Sequence, residues 1–354
     1  VFNITVDDNH NYHTITSYND EKFIKSSGLC VKNCGEVPGS TGVIKYSGET
    51  IELGDVCNLG SINLTRFYDM KEDKFCVEEF KEAVDIMVRS LDEIIEISNY
   101  PLNMYEQASK LKRKVGVGIM GVGSLMMMMG IRYGSSECVD ILEAILSEFI
   151  NQAYQSSAMM AKEKGPFPLY TKKALHCGFI KNSGVLTAET LSLIKKHGLR
   201  NSALSAIAPN GTLSIVAGNI SGGLEPVFST EFTRWNRVEG KKVDFKYPNI
   251  HKGEWFETDY LKEQSIADEK ILMSEDGEYR VDRNNGLCRK VTIRDYGYSL
   301  AKEAGKKEFG TAMDLTVDEH FNVLKVFAKY IDQSCSKTIN LPEEISFEDF
   351  ENLY

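Results

Sequence analysis

Residues 202–217 read Ser202-Ala203-Leu204-Ser205-Ala206-Ile207-Ala208-Pro209-Asn210-Gly211-Thr212-Leu213-Ser214-Ile215-Val216-Ala217. Two short apolar runs, Ser202–Ala208 and Leu213–Ala217, have the look of strands, and the Pro-Asn-Gly between them is a turn signal. The flanking chain has a different period. Upstream, Phe80, Val84, Met87, Val88, Leu91, Ile94 and Ile95 recur at three and four residues, which predicts a helix from Val77 that stops before Pro101. A second helix is expected from about Cys138 to Lys164, with Ile141, Leu142, Ile145, Leu146, Phe149 and Ile150 on its apolar face and Gly165-Pro166 as its breaker. Downstream, Thr316 followed by Glu319 forms a capping box ahead of Phe321, Leu324, Phe327, Tyr330 and Ile331. Lys337–Leu341 is a further strand-like run closed by Pro342. Alternating helices and short strands predict the α/β class, layered or closed into a barrel.

Three segments stand apart from that alternation. The first 33 residues are polar, and Val1–Val6 and Tyr12–Thr16 alternate as short strands. Asn236–Lys290 is charged and turn-rich, and is expected to be a long surface excursion with little regular structure. Met126–Met129, between Leu125 and Gly130, are expected in a packed helix interior.

The 354 residues are 42% hydrophobic and 26% charged, with a net charge of −10, as in a soluble globular protein of about two domains. No stretch has the ~18 continuous apolar residues of a membrane span, and no secretory signal opens the chain, which predicts a cytoplasmic location. The acidic excess argues against nucleic acid as a direct partner, since phosphate-backbone binding needs a basic face. Eight cysteines without a CxxC pair predict neither a disulfide framework nor a zinc site, and no metal site is expected. Val1, in place of an initiator methionine, implies that the ends are cut.

Several motifs carry candidate chemistry. Gly116-Val117-Gly118-Ile119-Met120-Gly121 matches GxGxxG, but a basic run, Lys110–Lys114, precedes it where a dinucleotide fold needs a strand. Close helix packing or a tight turn is therefore the expected role. Asn210-Gly211-Thr212-Leu213-Ser214 can direct backbone N–H groups and hydroxyls at one point, which suits a phosphate; a ligand-free Asn-Gly hairpin competes with that reading. Gly222–Phe228 is a second glycine-rich turn and carries Glu225. Cys34 lies two residues from Glu36, and Cys57 opens the apolar run Cys57–Leu64, so a carboxylate for proton transfer and thiols for reduction are available. Unrelated buried cysteines would look the same.

Taken in order, NCGE at 33–36, CNLGSINL at 57–64, VGVGIMGVGSL at 115–125, APNGTLSIVAG at 208–218 with GLEPVF at 223–228, and SKTINLP at 336–342 resemble the catalytic subunit of ribonucleotide reductases. The resemblance covers nearly all of Cys34–Tyr354. It implies the C-terminal part of a ten-stranded α/β barrel built from two half-barrels, with a finger loop holding a radical cysteine. Carried over by motif, Cys34 matches the thiyl-radical cysteine that abstracts the ribose 3′ hydrogen. Glu36 matches the carboxylate that handles the 3′-hydroxyl proton, and Cys57 matches one member of the redox pair, whose partner would lie upstream. Asn210, Gly211, Thr212, Leu213 and Ser214 match the loop that holds the substrate phosphates. The implied enzyme is an oxidoreductase, a ribonucleoside di- or triphosphate reductase. The NCGE and APNGT variants are closer to adenosylcobalamin-dependent members than to class I large subunits served by a di-iron radical partner. Implied partners are the ribonucleotide, a thioredoxin- or glutaredoxin-type reductant, and a second copy in a homodimer when complete.

The family loop usually reads NPCGE, whereas Lys32-Asn33 precedes Cys34 here, and the chain before it resembles the C-terminal segment of an intein. Val1–Val6 with Asp8–Tyr12 is similar to the intein block that carries a histidine, His10, and Gly28–Asn33 is similar to the terminal block. Inteins end in Asn followed by Cys, Ser or Thr, because the thiol accepts the upstream chain as a thioester and the Asn side chain then cyclises. The resemblance implies a short all-β, Hint-type segment at 1–33, a reductase barrel domain at 34–354, and splicing through His10, Asn33 and Cys34 with an upstream reductase/intein fragment as partner. Lys32 stands where inteins usually have histidine, and Thr14–Lys25 is an insertion between the blocks. A competing reading is an autoprocessing module attached to an inactive barrel fragment.

Overall fold

The computed structural model describes residues 11–13, 30–32, 36–39, 42–238, 243–244, 255–256, 271–274, 277–282, 286–307 and 310–339. The expected strand Val1–Val6 and the residues His10, Asn33 and Cys34 lie outside them. Of the two N-terminal blocks, Asn11–His13 (β1) pairs antiparallel with Cys30–Lys32 (β2), Asn11 opposite Lys32. A hairpin follows, Gly42–Tyr46 (β3) against Glu49–Leu53 (β4). Its two-residue turn, Ser47-Gly48, has positive φ at both positions, as a type I′ turn requires.

Leu59–Asn63 (β5) then leads through the small hairpin Tyr68–Asp69 (β6) and Lys74–Phe75 (β7) into the helix Val77–Ile97 (α1). Asn103–Lys112 (α2) precedes the strand Gly116–Met120 (β8), which is followed by Val122–Met129 (α3), Ser136–Lys164 (α4), Gly178–Asn182 (α5), Ala188–His197 (α6) and Gly211–Val216 (α7). β5 and β8 run parallel, Leu59 opposite Gly116 and Asn63 opposite Met120. Single parallel bridges continue the array, from Val117 to Ser205 and from Ile207 to Cys335. The result is four extended segments side by side, and among the described residues they form an open array rather than a closed barrel.

The helices cover this array as the apolar spacing predicts. α1 buries Phe80, Val84, Val88, Leu91 and Ile95, and α4 buries Leu142, Ile145, Leu146, Phe149 and Ile150, in one cluster with Val117, Ile119, Leu204 and Ile207. The Ser135 hydroxyl caps α4, accepting from the Cys138 N–H. Met126, Met127 and Met128 are buried in α3, as expected.

Four expectations change. The GxGxxG segment is mostly the buried strand β8, packed in one cluster with α1, and only its last glycine, Gly121 (φ 84°), makes the expected turn, into α3. Its glycines permit close strand approach, because a Cβ on Gly118 would lie 2.5 Å from the Ala206 carbonyl oxygen. Leu213–Ala217 is not a strand, because the left-handed backbone of Asn210 (φ 57°) starts α7 there. Ser202–Ala208 is extended but is joined to its neighbours only through the two bridges, and 337–339 adds no strand.

The fourth change concerns Ser229–Asp295, which forms a compact unit separate from the unit made of Val1–Phe228 and Tyr296–Tyr354. Where it is described it is largely regular: Glu231–Arg237 (β9), the pair Val243–Asp244 (β10) and Trp255–Phe256 (β11), then Ile271–Ser274 (β12), Gly277–Asp282 (β13) and Gly286–Arg294 (β14). The last three and β9 form an antiparallel sheet in the order β12-β13-β14-β9. Charged residues on half-exposed strands hide the alternation there, and the Arg280 guanidinium covers the Trp235 ring. The larger unit ends with Tyr296–Glu303 (α8) and Val317–Tyr330 (α9), whose Thr316–Glu319 capping box is formed as expected. No described helix is long and apolar enough to cross a membrane.

Candidate active site

The array is parallel, so the segments after β5, β8, residues 203–208 and residues 333–336 emerge from the same end of it, where α/β folds gather their chemistry. Glu36 is held against the last of these segments: its carbonyl accepts from the Ser334 N–H at 3.1 Å. The Val37 side chain packs over Gly116, and the Pro38 carbonyl accepts from the Lys114 ammonium. Between these anchors the Glu36 side chain is almost wholly buried, at 2% exposure, and its Oε2 has no hydrogen-bond partner among the described residues. A buried carboxylate oxygen without a donor carries a desolvation cost of at least about 1–3 kcal/mol, and such atoms concentrate where a ligand supplies the missing donor.

Two thiols feel the Glu36 charge. Cys57 is solvent-exposed just ahead of β5. Desolvation by surrounding atoms and then the Glu36 charge raise its thiol pKa, and Lys114 opposes them. Cys335, on the segment bridged to Ile207, is pushed up to about 11, by burial first and by Glu36 second. Both thiols therefore remain protonated near neutrality, which suits hydrogen-atom or electron donors better than nucleophiles. Cys335 had no part in the sequence argument; its only signal is its place beside the SKTINLP string.

The Asn210–Ser214 loop follows residues 203–208, at the end of the array opposite Cys57 and Lys114, which lie ahead of β5 and β8. Asn210 donates through Nδ2 to the Ala208 carbonyl at 3.0 Å and accepts from Ser61 Oγ of β5 at 3.0 Å. Ser214 is buried, with its N–H on the Asn210 carbonyl at 2.8 Å and its hydroxyl on the Gly211 carbonyl at 3.1 Å. Gly211, Thr212 and Leu213 are exposed, so the head of α7 is open to solvent. The glycine turn at 222–228 packs directly beneath. A Cβ on Gly223, whose φ is +47°, would lie 2.5 Å from the Ala208 carbonyl oxygen.

From that turn Glu225 reaches the SKTINLP segment, accepting from Lys337 Nζ at 2.7 Å and from the Thr338 N–H at 2.6 Å. The Lys337 side chain is 2% exposed and also donates to His320 Nδ1 at 2.9 Å. Burial, and then the Lys337 charge, push the His320 pKa down to about 4. The two sequence motifs are thus joined by one buried ion pair, which spacing along the chain could not reveal. Among the described residues no group of three or more His, Cys, Asp or Glu is placed to hold a metal ion.

The sequence matches the ribonucleotide reductase barrel domain over residues 3–354. The chain belongs to the ribonucleotide reductase barrel-domain family. Among its relatives, a vitamin B12-dependent ribonucleoside-diphosphate reductase of Mycobacterium tuberculosis is 26% identical over 321 residues, 91% of this chain and 38% of the relative. A protein of the same description from Thermoplasma acidophilum is 28% identical over 325 residues, 92% of this chain and 36% of the relative. A ribonucleoside-diphosphate reductase subunit alpha of Chlamydia pneumoniae is 30% identical over 278 residues, 70% of this chain and 24% of the relative. The chain thus spans well under half the length of these reductases.

Proposed function

We propose that this chain is the C-terminal portion of a ribonucleotide reductase catalytic subunit, and that Glu36, Cys57 and the Asn210–Ser214 loop form its share of the substrate site. The observation that carries this reading is the buried Glu36 Oε2, which has no donor among the described residues, held beside thiols that stay protonated. A ribose 3′-hydroxyl is a donor of the kind that oxygen lacks. The Cys34 thiyl takes the 3′ hydrogen, Glu36 takes the 3′-hydroxyl proton, and the 2′-hydroxyl leaves as water with a proton from one of the redox thiols; after reduction at C2′, Glu36 gives back its proton and Cys34 returns the hydrogen to C3′, restoring the thiyl. Two thiols, Cys57 and one supplied by the upstream part of the enzyme, deliver two electrons and two protons and end as a disulfide, so each turnover replaces one C–OH by C–H. The exposed backbone at Gly211–Leu213, supported by Ser214, receives the phosphates.

Adenosylcobalamin is the proposed cofactor, supported by the relatives named vitamin B12-dependent; when bound it supplies the radical that Cys34 receives. This chain's part is the thiol, and no described side chain is assigned to the cobalt. A di-iron radical subunit is the alternative source. The substrate is a ribonucleoside di- or triphosphate, the external reductant a thioredoxin- or glutaredoxin-type protein, and the complete enzyme a cytoplasmic homodimer. In the complete enzyme, Cys34→Ser is expected to abolish nucleotide reduction and Glu36→Gln to lower it by more than about 100-fold at unchanged fold, measured as deoxynucleotide formed with and without adenosylcobalamin. Full activity of Cys34→Ser would sink the reading, and cobalamin-independent turnover would move the chain to the di-iron class.

The N-terminal segment, residues 1–33, we read as the C-terminal piece of an intein. The β1/β2 pairing supports this by setting Asn11, next to His10, opposite Lys32, next to Asn33. The family match runs across the same residues from position 3, so experiment must choose between the two. Mixing the chain with a matching upstream fragment should yield ligated product by mass spectrometry, with Cys34 serving first as splicing nucleophile and then as radical residue. Absence of product, with Asn33→Ala behaving as wild type, removes the splicing role and leaves the reductase reading intact.

A further inference from the structure

Lys114 ends the basic run ahead of β8, where a lysine ordinarily faces water, yet its side chain is only 9% exposed. Its ammonium donates to two places at once: the Pro38 carbonyl, two residues beyond Glu36, and Asp55 Oδ2 at 2.7 Å, two residues before Cys57. The other carboxylate oxygen of Asp55 accepts from Lys112 Nζ at 2.5 Å, and the Asp55 side chain is itself 10% exposed. Gly39 closes the contact from the far side, since a Cβ there would sit 3.1 Å from Asp55 Cβ. The segment after Glu36 and the segment before Cys57 therefore touch each other through one carboxylate and share one cation.

We propose that Lys114 is a positioning residue of the reductase site: its ammonium, holding the Pro38 carbonyl and the Asp55 carboxylate together, fixes the chain that carries Glu36 against the chain that carries Cys57. A lysine suits the task because a compact ammonium with three donors can bind two acceptors that do not share a plane, while burial makes each bond stronger than at the surface. Asp55 neutralises that buried charge, and Lys112 occupies the carboxylate oxygen that Lys114 leaves free. Glu36 and Lys114 act on the Cys57 thiol with opposite signs, Glu36 holding it protonated and Lys114 favouring the thiolate. The inference rests on the assignment of Glu36 and Cys57 to one site.

The test uses the 354-residue chain and the pH profile of Cys57 alkylation by iodoacetamide, read peptide by peptide in a mass spectrometer. Loss of Lys114 removes the influence that favours the thiolate. Lys114→Met is expected to move the midpoint for Cys57 upward and to slow alkylation at pH 8 by about threefold, the change produced by a shift of roughly half a pH unit. Lys114→Arg should restore the midpoint, and exposed Cys177 should keep its rate in every variant. Amide hydrogen exchange at 36–39 and 54–57 should accelerate together in Lys114→Met and recover in Lys114→Arg. If Lys114→Met does not fold, Lys114→Gln, which keeps two donors and loses the charge, is read the same way. An unchanged Cys57 midpoint, or a displaced one that arginine does not restore, overturns the proposal. Reduction by the complete enzyme carrying Cys57→Ser checks the underlying assignment separately: turnover there removes Cys57 from the chemistry and leaves the alkylation result standing.

Discussion

Cys335 and Cys177 show how far two chemically identical residues diverge once the chain is folded. Cys177 is exposed at the head of α5, whereas Cys335 faces the Glu36 charge from a buried segment and is pushed up to about 11. At pH 8 about one Cys335 in a thousand is thiolate, so iodoacetamide should spare it, labelling Cys177 at least about 100-fold faster. Equal labelling of the two would mean that the 333–336 segment is not packed beside Glu36. At this scale Glu36, Cys57 and Asn210–Ser214 were legible as chemistry-bearing types in motif strings. Cys335, Lys114 and His320 were not, because each acquires its environment from chain that is remote in sequence. Cys34 was nameable by motif, and its tertiary setting lies outside the described residues.

Among the elements, helices with their own start and stop signals were read closely. The Thr316–Glu319 box caps α9, and α1 runs to Ile97, short of Pro101. The misread element was α7, where β-prone Leu213, Ile215 and Val216 form a helix because Asn210 adopts the left-handed conformation and Ser61 holds its side chain. A prediction at this scale concerns α9 and its His320, which is 1% exposed, with Lys337 lowering its pKa and Glu319 and a backbone contact at Ala312 opposing. Unfolded, the ring takes a proton below pH 6.5; folded, it does so only near pH 4. The stability linked to it is complete above pH 6.5 and declines as the pH falls from there towards 4, by up to about 3 kcal/mol. Urea titrations should show this decline for the parent chain and a shallower one for His320→Gln. Identical slopes would remove His320 as its source.

At the scale of the larger unit, buried ion pairs tie sequence-distant elements together. Asp92 of α1 accepts from Arg113 Nε at 2.7 Å, Arg200 Nε at 3.2 Å and Asn201 Nδ2 at 3.0 Å, and Arg113 also binds Glu96. The side chains of Asp92 and Arg113 are 1% and 3% exposed. Removing Arg113 leaves a carboxylate buried without its main cation, so Arg113→Met should cost about 3–5 kcal/mol in urea unfolding. The double variant Arg113→Met, Asp92→Leu should recover much of that loss, and a cost below about 1 kcal/mol for the single variant would show that the network is slack. A second staple works the same way. Asp332 accepts from the Leu204 and Ser205 N–H groups at 3.0 and 2.8 Å and from the Tyr154 hydroxyl at 2.8 Å, seating the 333–336 segment beside 203–208.

Read alone, the sequence determined the α/β class, the long helices with their boundaries, and the motif strings that mark the family, because periodicity, capping and turn chemistry act over a few residues. It could not show that most of the GxGxxG segment is a buried strand, that residues within 229–295 build a sheet, or that the Glu36 charge acts on Cys57 and Cys335 while Lys114 ties the Pro38 carbonyl to Asp55. Those were decided by tertiary structure. Burial, the orphaned Glu36 oxygen and the pull of one charge on another depend on which segments lie side by side, and that adjacency is set by packing across the whole chain rather than by any local run of residues.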